Sequence, residues 1–221
     1  MIAQIYVDDI VFGGMSNQMV DRFVQKMKFE FEMSLVGELT DFLGLQVKQM
    51  EDTIFISQSN NVKNLVKKFG LENSSHKRTP AATHVKLTKD DKGIDVHQSM
   101  YRSMIGSLLY LTASKADITF VVSVCARYQA EPKISHLIQV KRIIKYINGT
   151  SNYGIMYTDH DTNSVLEGYC DADWAGSVDD RKSTYGRCFF LGNNLISWFS
   201  KKQNCVFLST SECKTLVFKI G

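Results

Sequence analysis

The sequence predicts an α+β protein of 221 residues. Three observations lead there. Short blocks of β-forming apolar residues, bounded by turn residues, occupy both ends of the chain. Apolar residues recur at three- and four-residue spacing through the middle. The composition, 44% hydrophobic and 22% charged, is that of a globular chain.

The elements follow in order. Gln4 to Gly14 reads as a hairpin: two runs of apolar residues flank Asp8 and Asp9 at the tip, and the strands are expected to be buried. Ser16 or Asn17 caps a helix from about Asn17 to Phe31, whose stripe of Met19, Val20, Phe23, Val24, Met27 and Phe31 is core. Leu43, Leu45 and Val47 alternate with Gly44, Gln46 and Lys48, then Glu51-Asp52 turns the chain back through Thr53 to Ser57: a second hairpin. Gln58 to Gly70 is helical, with Val62, Leu65, Val66 and Phe69 inward and Gly70 as the stop. Glu72 to about Val96 is polar and reads as a linker without regular structure. Three helices follow: Gln98 to Thr112; one capped by Asp117 and reaching about Tyr128; and one capped by Ser135, from His136 to Asn148. His136 is a helix-terminal residue, not a ligand. Strands close the chain at Val165 to Trp174, Ser183 to Leu191 and Leu195 to Lys201, the last two joined through Gly192-Asn193-Asn194. Ser209 then caps a short closing helix.

The net charge of +3 permits nucleic-acid binding without demanding it. Its placement is more informative. Between Asn60 and Lys92, Lys63, Lys67, Lys68, Lys77, Arg78, Lys86, Lys89 and Lys92 face only Glu72, Asp90 and Asp91. A solvated helix face and a phosphate-binding surface both fit that run. Five cysteines include no CxxC pair, and with the histidines they complete no zinc pattern. An odd count without a signal peptide points to reduced thiols, hence cytoplasm or nucleus. No apolar run is long enough to span a bilayer, so no membrane partner is expected.

Two sets of acids carry chemistry. Asp8 and Asp9 in a tight turn are either solvated turn residues or oxygen ligands for a hard divalent cation. Asp171 and Asp173 share strand parity, and Glu212 falls in the first turn of the closing helix. If that helix crosses the last sheet, Glu212 approaches Asp171, and the pair can bind divalent metal and activate water for phosphodiester cleavage. Otherwise Glu212 is a favourable acid near a helix N-terminus.

Longer motifs carry a resemblance. Tyr6-Val7-Asp8-Asp9 looks like the catalytic hairpin of a reverse transcriptase, and Phe42-Leu43-Gly44 like the following hairpin that positions the primer end. Tyr101 to Leu111 and Cys125-Ala126-Arg127-Tyr128 resemble the segment joining polymerase to ribonuclease H. Tyr169 to Gly176, Asp179 to Thr184, Ile196 to Gln203 and Leu208 to Glu212 resemble the ribonuclease H region. In this order they resemble a copia-type LTR-retrotransposon Pol polyprotein over nearly the whole chain.

The resemblance implies a partial reverse-transcriptase palm and thumb over residues 1–78, a linker and helical connection over 79–164, and a partial ribonuclease H-like mixed sheet over 165–221. It implies magnesium held by Asp8 and Asp9 and, separately, by Asp171 and Glu212, with these four acids catalytic. Asp173 is a motif residue and a weaker catalytic candidate. Phe42, Leu43, Gly44, Lys63, Lys67 and Lys68 would contact nucleic acid, so RNA, DNA and RNA–DNA hybrid are the implied partners. Ala116, Tyr185 and the run Cys213-Lys214-Thr215 depart from the family pattern. The resemblance implies a parent activity of RNA-directed DNA synthesis with RNA-strand hydrolysis. Met1 stands almost directly before a strand of the catalytic hairpin, so the chain is expected to be cut from something longer, to complete neither site and to be inactive alone. The rival readings are a nucleic-acid-binding remnant without chemistry and a pseudogene product.

Overall fold

The computed structural model describes residues 1–14, 16–82, 86–159 and 165–209. The chain divides into two compact units, Met1–Phe42 and Leu43–Gly221.

The first unit is a hairpin and a helix. β1 (Ile2–Tyr6) pairs antiparallel with β2 (Asp9–Gly13), in register from Ile2 opposite Gly13 to Tyr6 opposite Asp9. α1 (Asn17–Glu30) follows from the apolar stripe, and Phe23 on it meets Phe12 of β2 at 5.2 Å. Ser16 sits at the N-cap position but makes no side-chain cap bond. The expectation of buried strands fails here. Every residue of β1 is exposed, and α1 has no buried residue. One helix covers only part of a two-stranded ribbon, so Ile2 and Ile5 remain 82% and 68% accessible. A two-residue strand, β3 (Asp41–Phe42), ends the unit.

The second unit holds the core. β4 (Leu45–Met50) and β5 (Thr53–Ser57) form the expected hairpin around Glu51-Asp52. α2 (Ser59–Lys68) ends on Gly70 at φ +63°. The Leu71 N–H donates to the Val66 carbonyl and the Gly70 N–H to that of Lys67, the paired bonds of a Schellman stop. α3 (Gln98–Leu111), α4 (Thr119–Ala126) and α5 (Ile134–Gly149) are the other α-helices among the described residues, with a 3₁₀ turn at Ala116–Ile118 before α4. Their inward faces bury Tyr101, Ile105, Leu108, Val122, Ile143 and Ile147 together with Val62 of α2.

Two capping expectations need correction. Asp117 lies inside the 3₁₀ turn, where its carboxylate accepts from the Tyr146 hydroxyl instead of capping α4. Ser135 lies inside α5, its hydroxyl turned to Asp90; Lys133 is the N-cap residue, and its N–H donates to Nδ1 of His136 (2.9 Å). The buried ammonium of Lys115, just before the 3₁₀ turn, holds the end of α5 through the carbonyls of Thr150 (2.8 Å) and Tyr153 (3.1 Å). Burial lowers its pKa, and nearby Asp117 partly opposes that.

β6 (Gly154–Thr158) was not legible as a strand. It pairs antiparallel with β5, Thr53 opposite Thr158 and Ser57 opposite Gly154. A Cβ at Gly154 would lie 2.1 Å from the Ile56 carbonyl oxygen, so the close strand approach needs glycine there.

β7 (Leu166–Ala172), β8 (Thr184–Leu191) and β9 (Asn194–Lys202) form the last sheet, antiparallel in that order. The β8–β9 loop is Gly192-Asn193 with Gly192 at φ +57°; Asn194, expected in the turn, opens β9. Its amide reaches across to β6, accepting from the Thr158 N–H (2.8 Å) and donating to the Thr158 carbonyl (2.9 Å). The Trp198 indole N–H donates to the Thr112 carbonyl (2.9 Å) and Arg127 to the Thr184 hydroxyl (2.7 Å), tying this sheet to α3 and α4.

Among the described residues, the expected linker has no regular element between Leu71 and Val96. It is nonetheless docked. Pro80 and Thr88 carbonyls accept from Gln139 and His136 of α5, and Leu87 and Val96 pack on the core.

Candidate active-site acids and nucleic-acid surface

The hairpin turn is Val7-Asp8, with Asp9 the first residue of β2, opposite Tyr6. Asp8 and Asp9 therefore stand side by side at a strand-to-strand bend, both exposed. The bend is strained: Val7 is β-branched yet has φ +51°. Such a residue costs on the order of 1–3 kcal/mol and tends to occur where a tip must be held in one shape. Tyr6 packs edge-on against Phe42, with ring centroids 6.4 Å apart and planes at 80°. The first unit thus joins the Tyr-Val-Asp-Asp hairpin to the first residue of Phe-Leu-Gly.

Leu43 and Gly44 both have positive φ, +51° and +72°. The Gly44 carbonyl accepts from the Asn61 side-chain amide of α2 (2.9 Å). A Cβ at residue 44 would meet that amide nitrogen at 2.9 Å and the Tyr110 hydroxyl at 3.2 Å, so glycine is required by conformation and by space. Asn61, Asn64, Lys68, Ser107 and Tyr110 line a groove of about 350 Å³ between α2 and α3. Lys63, Lys67 and Lys68 are exposed. Lys68 donates to the Ser103 hydroxyl (2.8 Å), and Lys67 and Lys68 lie in the last turn, where cations also favour the helix dipole.

Asp171 is exposed on β7, opposite Gly186 of β8. Asp173 lies past the strand end and works in the loop: its carboxylate accepts from the Thr184 N–H, and its N–H donates to the Thr184 carbonyl (3.0 Å). A Cβ at Gly176 would collide with that carboxylate. Glu212 lies outside the described residues, as does the helix expected after Ser209, so the approach of Glu212 to Asp171 keeps its standing as an expectation. Among the described residues, no group of three or more His, Cys, Asp or Glu could hold a metal ion.

Sequence reasoning attached no role to Asp179 and Asp180 beyond a motif. Asp179 accepts from the Lys89 N–H (3.0 Å) and the Tyr128 hydroxyl (3.2 Å); Asp180 pairs with Lys202 at 2.8 Å. Partial burial raises the Asp180 pKa, but hydrogen bonds from Lys202 and Ser177 outweigh this and bring it down to about 2. No local signal could have assigned these partners, which lie up to 90 positions away.

The family described as Reverse transcriptase (RNA-dependent DNA polymerase) matches residues 1–83. The chain is 31% identical over 212 residues to "Uncharacterized mitochondrial protein AtMg00810" of Arabidopsis thaliana, covering 96% of this chain and 88% of that protein. It is 31% identical to "Retrovirus-related Pol polyprotein from transposon TNT 1-94" of Nicotiana tabacum, over 97% of this chain and 17% of the polyprotein. It is 33% identical to "Retrovirus-related Pol polyprotein from transposon RE1" of Arabidopsis thaliana, over 95% of this chain and 14% of the polyprotein. The chain thus spans less than one fifth of the Pol polyproteins it matches. No solved structure matches it.

Proposed function

The chain belongs to the copia-type retrotransposon Pol family, and from that premise we propose that it serves RNA-directed DNA synthesis, with hydrolysis of the RNA strand of an RNA–DNA hybrid, as a piece of such a polyprotein. The observation that carries the reading is the pair Asp8 and Asp9 on a strained two-residue bend, with Tyr6 of the same hairpin against Phe42. Residues 1–78 act as partial palm and thumb, 79–164 as linker and connection, and 165–221 as a partial ribonuclease H-like domain.

The donor chemistry at the bend suits magnesium: two carboxylates, open to solvent, offer hard oxygen ligands. Asp8 and Asp9 would hold the ion there, and Asp171 with Glu212 would do so in the ribonuclease H-like part. A bound divalent ion supplies charge neutralisation and an activated nucleophile for phosphoryl transfer. Phe42, Leu43 and Gly44 position the nucleic-acid end, and Lys63, Lys67 and Lys68 meet phosphates. Two-metal chemistry uses more ligands than the bend alone carries, so the 221-residue polypeptide is expected to extend no primer by itself.

The direct test uses Mn²⁺ as a paramagnetic probe on the isotope-labelled chain. Amide resonances around Asp8 and Asp9 are expected to broaden at substoichiometric Mn²⁺, and the double variant Asp8→Asn/Asp9→Asn to abolish that. Resonances unaffected by the ion would remove the metal role of the bend. The exposed α2 lysines favour a second reading, a nucleic-acid-binding remnant without chemistry. Robust magnesium-dependent primer extension by the purified chain would exclude it, and would equally overturn the expectation that the chain is inactive alone.

A further inference from the structure

We propose that the docked linker and α5 together form a second nucleic-acid surface, which seats the phosphate backbone of an RNA–DNA hybrid; this rests on the nucleic-acid reading above and extends it to residues with no motif.

The linker lies along α5 in antiparallel register. A Cβ added at Gly149 would touch the His76 side chain at 3.1 Å. The Lys77 N–H donates to the Lys145 carbonyl (3.4 Å), Arg142 to the Thr79 hydroxyl (2.8 Å), and Gln139 to the Pro80 carbonyl (2.8 Å). Four contacts in step therefore run from residue 149 back to 139, about 15 Å of helix at 1.5 Å per residue. They bring the segment that carries Lys77 and Arg78 against the stretch of α5 that carries Lys141, Arg142 and Lys145. Lys77, Arg78 and Lys141 are exposed, and Arg142 and Lys145 half-buried.

Both strips are free of acids. Residues 73–89 contain no Asp or Glu, and neither does α5 from Ile134 to Gly149. The ion pairs among the described residues, Lys133–Asp95 and Lys202–Asp180, draw on other groups. Five cations thus lie on two adjoining segments about 15 Å long with no acid of those segments' own; Asp117 meets α5 through the Tyr146 hydroxyl and Asp90 through the Ser135 hydroxyl. A single small anion needs a closed pocket of convergent donors. A row of separated cations suits a polyanion with repeating charges, whose condensed counterions it releases. The side chains on the linker come from 60 or so positions upstream of those on α5, so neither segment is basic enough alone to declare the surface.

The test is fluorescence anisotropy of a labelled 20-base-pair RNA–DNA hybrid against the full chain between 50 and 200 mM salt. The variant Lys77→Gln/Arg78→Gln/Lys141→Gln/Lys145→Gln leaves Arg142 and its bond to Thr79 in place. It is expected to bind at least tenfold more weakly at 100 mM salt and to flatten the log–log salt slope by about 3 to 4, near 0.9 per lost phosphate contact. The charge-preserving variant Lys77→Arg/Lys141→Arg/Lys145→Arg is expected to keep the slope; loss there too would mean a structural role and overturn the proposal. Wild-type slope in the Gln variant, with flattening instead in Lys63→Gln/Lys67→Gln, would also overturn it while leaving the proposed function standing. No salt-dependent binding by the wild type would end both. Tighter binding to phosphatidylserine vesicles than to hybrid would overturn the assignment to nucleic acid.

Discussion

His136 shows how much one side chain can hold. It is fully buried, its Nδ1 accepts from the Lys133 N–H, and its Nε2 donates to the Thr88 carbonyl at 2.7 Å. That use of both nitrogens fixes the orientation of the ring, which stacks on Tyr128 at 4.1 Å. The sequence placed His136 at a helix start and denied it a ligand role. Its burial was illegible, because the linker that covers it is set by contacts 48 positions away. Replacing it by Ala removes two hydrogen bonds and a stacked ring, and is expected to cost about 2–4 kcal/mol. Urea denaturation of His136→Ala measures this; a loss under 1 kcal/mol would mean that the linker does not depend on it. Asp8 and Asp9 are the opposite case. Their neighbours in the chain set the bend, so their adjacency could be read directly, whereas the positive φ of Val7 could not: a valine gives no sign of it.

At the scale of elements, helices were the most legible, since an apolar face repeats over several turns in α2, α3 and α5. Their ends depend on fewer residues. Gly70 announced its stop correctly, because a left-handed residue after a helix is glycine's usual place. Asp117 misled, because a carboxylate before an apolar run signals a cap whether or not the chain first makes a 3₁₀ turn. β6 escaped because five residues beginning with Gly154 show no alternation strong enough to separate a strand from a loop. The Schellman stop gives a measurable expectation. Gly70→Ala forces a Cβ into φ +63° where nothing crowds it, so the penalty is conformational and about 1 kcal/mol. Hydrogen exchange of the last turn of α2 should speed by roughly fivefold, corresponding to about 1 kcal/mol; unchanged exchange would place the stop elsewhere.

At the scale of the whole molecule, a buried thiol and two half-buried phenols set the alkaline limit. Burial pushes Cys125 up to about 12, Arg127 opposing; burial and then Asp179 push Tyr128 to about 12; burial and then the Asp117 bond do the same for Tyr146. The folded chain keeps protons there that the unfolded chain, titrating near 8.5 for Cys and 10 for Tyr, gives up. Their stabilisation is therefore whole below pH about 8.5 and is lost as pH climbs to about 12. Asp180 works with the reverse sign: its depressed pKa stabilises above about 4, and that contribution fades as pH falls toward 2. Urea midpoints should fall at both ends, and Asp180→Asn should flatten only the acid side. A midpoint constant from pH 8 to 11.5 would contradict the buried groups.

β5 waits about a hundred positions for β6, its partner on one side, just as the residues after Gly70 wait for α5. During synthesis this leaves an interval in which a finished hairpin and a finished helix have emerged with their second neighbours still unmade. Ribosome-bound chains stalled before residue 134 should accordingly be protease-sensitive from residue 71 onward, and those released past residue 158 should resist.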